Sequence, residues 1–405
     1  MKTLNKSKNK NKYELLAPAG SVRSLIAAVN AGADAVYFGL QDFSMRAKAK
    51  NFTINDLDEI EKVCKKGHLG IPVKKYLTLN TIIYDEELGK IEKLIKKVCG
   101  KVDAIICWDL AIIELCRKNK IPFFISTQAS VANFESAKFY KKLGAKRIVL
   151  ARELNLKQIK KISKLIDVEC FCHGAMCVSV SGRCFTSQFQ CGKSANRGEC
   201  LQPCRRSYIV KDDRGNELKV VNSHIFSAKD LCTLPFIEEL KNAGIKSFKI
   251  EGRNRDPEYV DTVVRVYRRA LDKKLGSLEI KESLKELEKV YNKGFSSGFY
   301  LGVPTNDDFS DVDHSKAKET KEFIGKVVKY YPKIGVAVIY ANSGFLKKGD
   351  EIFVLSDKTG FSRMKVERME IENKEVSRVE KGNNFGIKIP NAREGDEIYK
   401  VVKNA

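Results

Sequence analysis

The sequence has no run of eighteen apolar residues, which excludes a conventional membrane-spanning helix. Its basic opening, MKTLNKSKNKNK, has no apolar stretch behind it. It therefore does not read as a signal peptide, and residues 1–12 are expected to form a disordered basic arm. No Gly-x-Gly-x-x-Gly string supports a dinucleotide fold. There is no HExxH, and the only histidines are His68, His173, His224 and His314. One Gly-x-Ser-x-Gly string, residues 294–298, follows a helical pattern instead of a strand, so the nucleophile-elbow context is missing and it reads as a chance match in a turn. Asp307, Asp308, Asp311 and Asp313 lack the Gly and terminal Glu of a calcium loop. Twelve cysteines occur without a single CxxC pair, which weakens a zinc-ribbon reading. With no export signal the chain is expected in the cytoplasm, where clustered cysteines bind metal or catalyse more often than they form disulfides.

What is present suggests a large soluble protein. At 405 residues the chain should form two domains, or one with an appendage. A net charge of +23 suits a polyanionic partner such as RNA, and equally a surface solvated by lysine. Short aliphatic or β-branched runs recur at residues 13–19, 34–39, 74–82, 103–108, 122–128, 146–151, 168–174 and 246–252, with amphipathic helical patterns such as ELGKIEKLIKKV between them. Eight strands alternating with helices predict a TIM-like (β/α)₈ barrel over residues 13–305. The pattern from Glu258 to Lys293 is helical, in two pieces around residues 273–277. An acidic linker follows over residues 306–322, and alternating apolar residues over 323–405 predict a small all-β barrel.

In such a barrel the active site lies at the C-terminal ends of the strands. Those ends carry Gly39, Asn80, Trp108, Asp109, Gln128, Arg152, Glu153, His173, Glu251 and Arg253. The connection from the seventh to the eighth strand contains a Gly-, Ser- and Arg-rich loop over residues 170–232 with most of the cysteines. Widely spaced thiols in a loop over the mouth suggest a metal site, an iron–sulfur cluster ahead of zinc. Cys64, Cys99, Cys107 and Cys116 lie in apolar or helical runs and read as small core residues. Arg46 and Arg152 are candidates to bind substrate, Arg183 and Arg253 to act in catalysis, and His173 and Glu251 to move protons. Asn80 and Gln128 are further substrate-binding candidates. Tyr37, Phe43 and Phe52 are aromatic candidates near the barrel mouth, although core packing suits Tyr37 better.

The run HGAMC, then SGRC, then GEC and PCR, resembles the signature of the collagenase-like peptidase family, peptidase family U32. The blocks LLAPAGS, AGADAVYFG, SAKDL and FKIEGR are similar to further family blocks in the same order, so the likeness spans nearly the whole chain. The resemblance implies an enzyme of tRNA modification, forming 5-hydroxyuridine at the wobble position with prephenate, a small dicarboxylate, as hydroxyl donor in place of molecular oxygen. Relatives act on a ribosomal cytidine or a ubiquinone precursor. It further implies a four-iron–four-sulfur cluster held by Cys177, Cys184 and Cys200. Cys232 after SAKDL is taken as the fourth ligand, with Cys204 as its competitor. A peptidase and a non-catalytic RNA-binding protein with structural zinc are the alternatives.

Overall fold

The computed structural model describes residues 12–404 apart from 42, 46–49, 207, 210, 218–225 and 313. Arg46 and all but the last residue of the expected basic arm lie outside the described residues. From the N-terminus the elements are β1 (Glu14–Pro18), α1 (Val22–Asn30), β2 (Ala35–Phe38), α2 (Leu57–Lys66), β3 (Lys74–Leu79), α3 (Leu88–Val98) and β4 (Ala104–Cys107). They continue with α4 (Leu110–Lys118), β5 (Phe123–Ile125), α5 (Phe134–Lys142), β6 (Arg147–Val149), α6 (Leu156–Ser163) and β7 (Val168–Gly174). The cysteine loop contains α7 (Thr186–Cys191) and ends in β8 (Asp230–Cys232), after which come α8 (Ile237–Asn242), β9 (Ser247–Ile250), α9 (Pro257–Asp272), α10 (Ser277–Lys289) and β10 (Phe295–Ser296).

Strands β1 to β7 pair in parallel in chain order, and β9 pairs with both β1 and β7. This closes the expected eight-stranded barrel. All eight expected runs contain a barrel strand, because parallel strands buried on both faces are continuous apolar words such as AVYF and AIIC. The helices carry the complementary pattern: α3 buries Ile91, Ile95 and Val98 and leaves its lysines in water. Ser21 and Asn133 accept a backbone N–H at the starts of α1 and α5, and Asn155 with Gln158 forms a reciprocal cap on α6, at about 1 kcal/mol each.

The chain leaving the cysteine loop contains a strand too short for periodicity to reveal. Three-residue β8 pairs antiparallel with the end of β7, His173 opposite Cys232, and carries β10 beside it. The loop is therefore fastened to the barrel rim at its exit. The N-terminal end of the barrel is filled by charge. Arg147 binds Glu14 and Glu169, and Lys249 binds Glu169 at 2.8 Å. Burial works against ionised Glu14, but Arg147, Lys74 and Tyr76 together hold its pKa down to about 2.

The barrel and its flanking helices enclose one core, running from Leu15 to Tyr300. A second core, from Ile324 to Ile398, belongs to β11 (Glu319–Tyr331), β12 (Val336–Ala341), β13 (Phe345–Lys347), β14 (Glu351–Ser356), β15 (Gly360–Lys365), β16 (Met369–Ile371), β17 (Lys374–Val376), β18 (Arg378–Glu380), β19 (Asn384–Lys388) and β20 (Glu397–Lys403). These strands form an eight-stranded antiparallel sheet and a separate β13–β18 pair. The stretch expected as a linker is partly docked: Phe309 bridges Ala228, Ser310 is buried, and β11 starts at Glu319.

Candidate active site

The C-terminal strand ends surround a cavity of about 310 Å³ roofed by the cysteine loop. Strand β9 and the turn after it supply Lys249, Glu251 and Arg253. Both cations are only 5% exposed. Arg253 is set by three separated sequence blocks: its Nη1 donates to Ser44 Oγ at 2.7 Å and to Thr78 Oγ1 at 2.9 Å. A Cβ at Gly39 would collide with this guanidinium, and one at Gly20 with the Arg253 carbonyl, so APAG and VYFG need glycine where they meet EGR. Lys249, bonded to Glu169 below, lies 4.4 Å from the centre of the Tyr37 ring. Tyr37 donates to the Ile250 carbonyl at 2.9 Å.

The opposite wall is uncharged and polar. Asn80 accepts from the Met45 N–H at 3.3 Å, and its amide reaches Gln128 Oε1 at 3.4 Å. Ser126 also donates to Gln128. The guanidinium carbon of Arg152 stands over Phe171, 3.7 Å from the ring centre, and Arg152 donates to the Ala175 carbonyl at 2.8 Å. Four cations line the cavity (Arg152, Arg205, Lys249 and Arg253) against two carboxylates, Glu153 and Glu251. Leaving the thiols aside, the cavity carries an excess of positive charge suited to a small anion.

Four thiols border this cavity: Cys177, Cys184, Cys200 and Cys204. Burial raises the Cys204 thiol pKa, and the neighbouring thiols of Cys177, Cys200 and Cys184 push it the same way against Arg205. Cys184 moves downward: burial opposes its thiolate, but hydrogen bonds from Ser179, Thr186 and Ser187 outweigh burial. Two arginines brace the segment before Cys177, Arg152 through the Ala175 carbonyl and Arg205 through that of Met176. Among the described residues no three ligating side chains converge tightly enough to hold a single metal ion. Four thiols around one cavity are a donor set that an iron–sulfur cluster or a zinc ion would take.

Of the residues expected from sequence, Asn80, Gln128, Arg152, Glu251, Arg253, Cys177, Cys184 and Cys200 meet in this cavity. Three expected residues stand elsewhere. Cys232 lies in β8 outside the cavity lining, 4% exposed, with its sulfur accepting from Tyr267 at 3.7 Å. His173 is sealed against Tyr259, Tyr267 and Phe295, where burial lowers its pKa to about 3. A base so depressed stays neutral at working pH, and the ring is not part of the cavity lining. Arg183 is exposed on the rim, donating to Ser130 at 3.1 Å and lying 5.9 Å from the Trp108 ring. Phe52 packs on Phe38, and Cys99, expected inside, is exposed. Lys249 escaped notice, although a lysine inside the apolar word SFKI was its signal. Ser296 of the Gly-x-Ser-x-Gly string accepts from the Gly298 N–H at 2.9 Å, within its own turn.

Fold and site together define a (β/α)₈ enzyme scaffold with a thiol-ringed, cation-rich cavity at its catalytic end. The model of peptidase family U32 matches residues 20–309, and the chain belongs to that family. It is 39% identical over 417 residues to a collagenase of Porphyromonas gingivalis, covering 98% of this chain and 99% of that protein. It is 36% identical over 355 residues to tRNA hydroxylation protein P1 of Bacillus subtilis, covering 84% and 83%. It is 35% identical over 378 residues to the 23S rRNA 5-hydroxycytidine C2501 synthase of Escherichia coli, covering 88% of this chain and 55% of that protein. No helix among the described residues is long and apolar enough to cross a membrane.

Proposed function

We propose that this chain is an oxygen-independent RNA hydroxylase that forms 5-hydroxyuridine at the wobble position of tRNA in the cytoplasm, with prephenate as hydroxyl donor. The observation that carries the reading is the meeting of four thiols with Arg253, Lys249 and Arg152 around one cavity. Its likeness to two RNA-hydroxylating relatives supports the same class of substrate.

In this reading Cys177, Cys184, Cys200 and Cys204 hold a four-iron–four-sulfur cluster, which supplies electron transfer or Lewis-acid chemistry when bound. The chain's own groups do the rest. Arg253, held rigid by Ser44 and Thr78, presents its guanidinium to one carboxylate of the donor. Arg152, stacked over Phe171 at 3.7 Å from its centre, offers a second cation, as two carboxylates require. Lys249 adds positive potential from beneath while Glu169 neutralises it below. Asn80 and Gln128 provide paired amides able to read the edge of a uracil turned out of its stack. Glu251, beside Tyr37, is the carboxylate placed to move a proton.

The test is to purify the chain anaerobically, add unmodified tRNA and prephenate, and analyse nucleosides by mass spectrometry. 5-Hydroxyuridine that requires prephenate and not oxygen is the expected result. Stoichiometric zinc without iron, or no modified uridine from an iron-loaded enzyme, would sink the reading. The collagenase relative favours peptidase action as the second reading. Cleavage of denatured collagen by the same preparation would support it.

A further inference from the structure

Helix α7 turns the wrong way for a structural element. Its buried residue is the small Ser187, while Phe185 and Phe189 are 64% and 85% exposed. Their rings stand 6.2 Å apart, tilted by 55°. Leaving a phenylalanine in water forgoes about 1.5–3 kcal/mol of burial, so two of them side by side ask for an occupant. Their place is specific: Phe185 sits between Cys184 and Thr186, both of which line the cavity.

Elsewhere on the rim rings stand beside cations. Trp108, past the end of β4, has Arg183 at 5.9 Å, and exposed Tyr84, past the end of β3, has Arg197 at 5.1 Å, itself held by the Glu87 carboxylate and the Ile82 carbonyl. Arg206 is exposed in the same loop, as is Lys193, which lies 3.5 Å from the Glu199 carboxylate. Flat rings interleaved with guanidinium groups, on a chain of net charge +23, match unpaired nucleotides: bases stack on the rings while phosphates meet the cations. A duplex hides its base faces and has no use for the rings.

We infer that the Phe185–Phe189 pair is a stacking platform for the unpaired nucleotides beside the target base, holding a single-stranded RNA loop open over the cavity. This rests on the RNA-modification reading and adds to it how the loop is recognised. The test is fluorescence anisotropy of the anaerobically purified full chain with a labelled RNA stem-loop and a fully paired duplex of the same length. Phe185→Ala/Phe189→Ala should weaken stem-loop binding roughly 5- to 100-fold, leaving duplex binding, iron content and melting temperature as they were. Phe189→Trp should keep the affinity, and its fluorescence should be quenched by the stem-loop and not by the duplex. Unchanged stem-loop affinity in the double-alanine variant overturns the platform alone. A native dimer that this variant dissociates, seen by sedimentation velocity, also overturns it, making the face a self-interface. Failure of the native chain to bind either RNA overturns the RNA-modification reading itself.

Discussion

The sharpest prediction sets Cys204 against Cys232. Each is changed to alanine and the protein is purified anaerobically. Cys204 stands among the thiols of Cys177, Cys184 and Cys200, so in the proposed reading its loss removes one of four ligands. Bound iron should fall from roughly four per chain to three or fewer, with bleaching of the broad absorbance near 400 nm. Cys232 lies outside the cavity lining, in β8, with its sulfur against Tyr267. Tyr267 keeps a stronger partner, the Cys172 carbonyl at 2.8 Å, so no buried hydroxyl is orphaned by the change. Only a sulfur-sized void remains, which costs about 1–2 kcal/mol and shifts melting by a few degrees at most. Iron should stay at the native level. The assay is iron and sulfide per chain, the visible spectrum, and a thermal melt read together. Full iron in Cys204→Ala, with loss in Cys232→Ala, would refute the assignment and return the fourth position to Cys232.

His173 makes stability pH-dependent. Its folded pKa of about 3 lies below the ordinary value of 6.5, so as pH falls through 6.5 the unfolded chain takes a proton that the folded chain refuses. Stability should drop by up to about 1.4 kcal/mol per pH unit between those values, and His173→Phe should flatten that slope in urea melts; an unchanged slope counts against the burial argument. Glu169→Gln leaves Lys249 without its carboxylate and weakens the field around Arg147, and should cost about 3–5 kcal/mol by chemical denaturation; a loss below 1 kcal/mol would contradict the charge network. Arg253→Lys exchanges a fork held by Ser44 and Thr78 for a point charge, and should raise KM for prephenate at least about tenfold with iron content unchanged. An unaltered KM would remove Arg253 from donor binding.

The barrel was legible because its signal is periodic and local. Eight apolar runs bounded by turn residues each became a strand, and the break between α9 and α10 fell where residues 273–277 had suggested. Placing the candidate site at the strand ends picked out Asn80, Gln128, Arg152, Glu251 and Arg253, which line one cavity, without any contact being known. Three-residue β8 was hidden because so short a run has no period, so the place of Cys232 beside the end of β7 was not foreseen. His173 had the residue type and the strand-end position of a proton carrier. Which way a strand-end side chain points depends on what packs beside it, and Tyr259, Tyr267 and Phe295 come from elements distant in sequence.

Residue order by itself determined the supply of chemistry: thiols concentrated in one loop, arginines and amides at strand ends, and glycines at the two points where backbone and guanidinium approach closely. Those depend on composition and on spacing along one chain. Only the tertiary structure decided the selection. Which four of twelve thiols border one cavity, which arginine is clamped by Ser44 and Thr78, and which phenylalanines are left facing water follow from barrel closure and loop docking. Closure joins β9 to β1 across more than two hundred residues of sequence, and no local pattern encodes a distance of that kind.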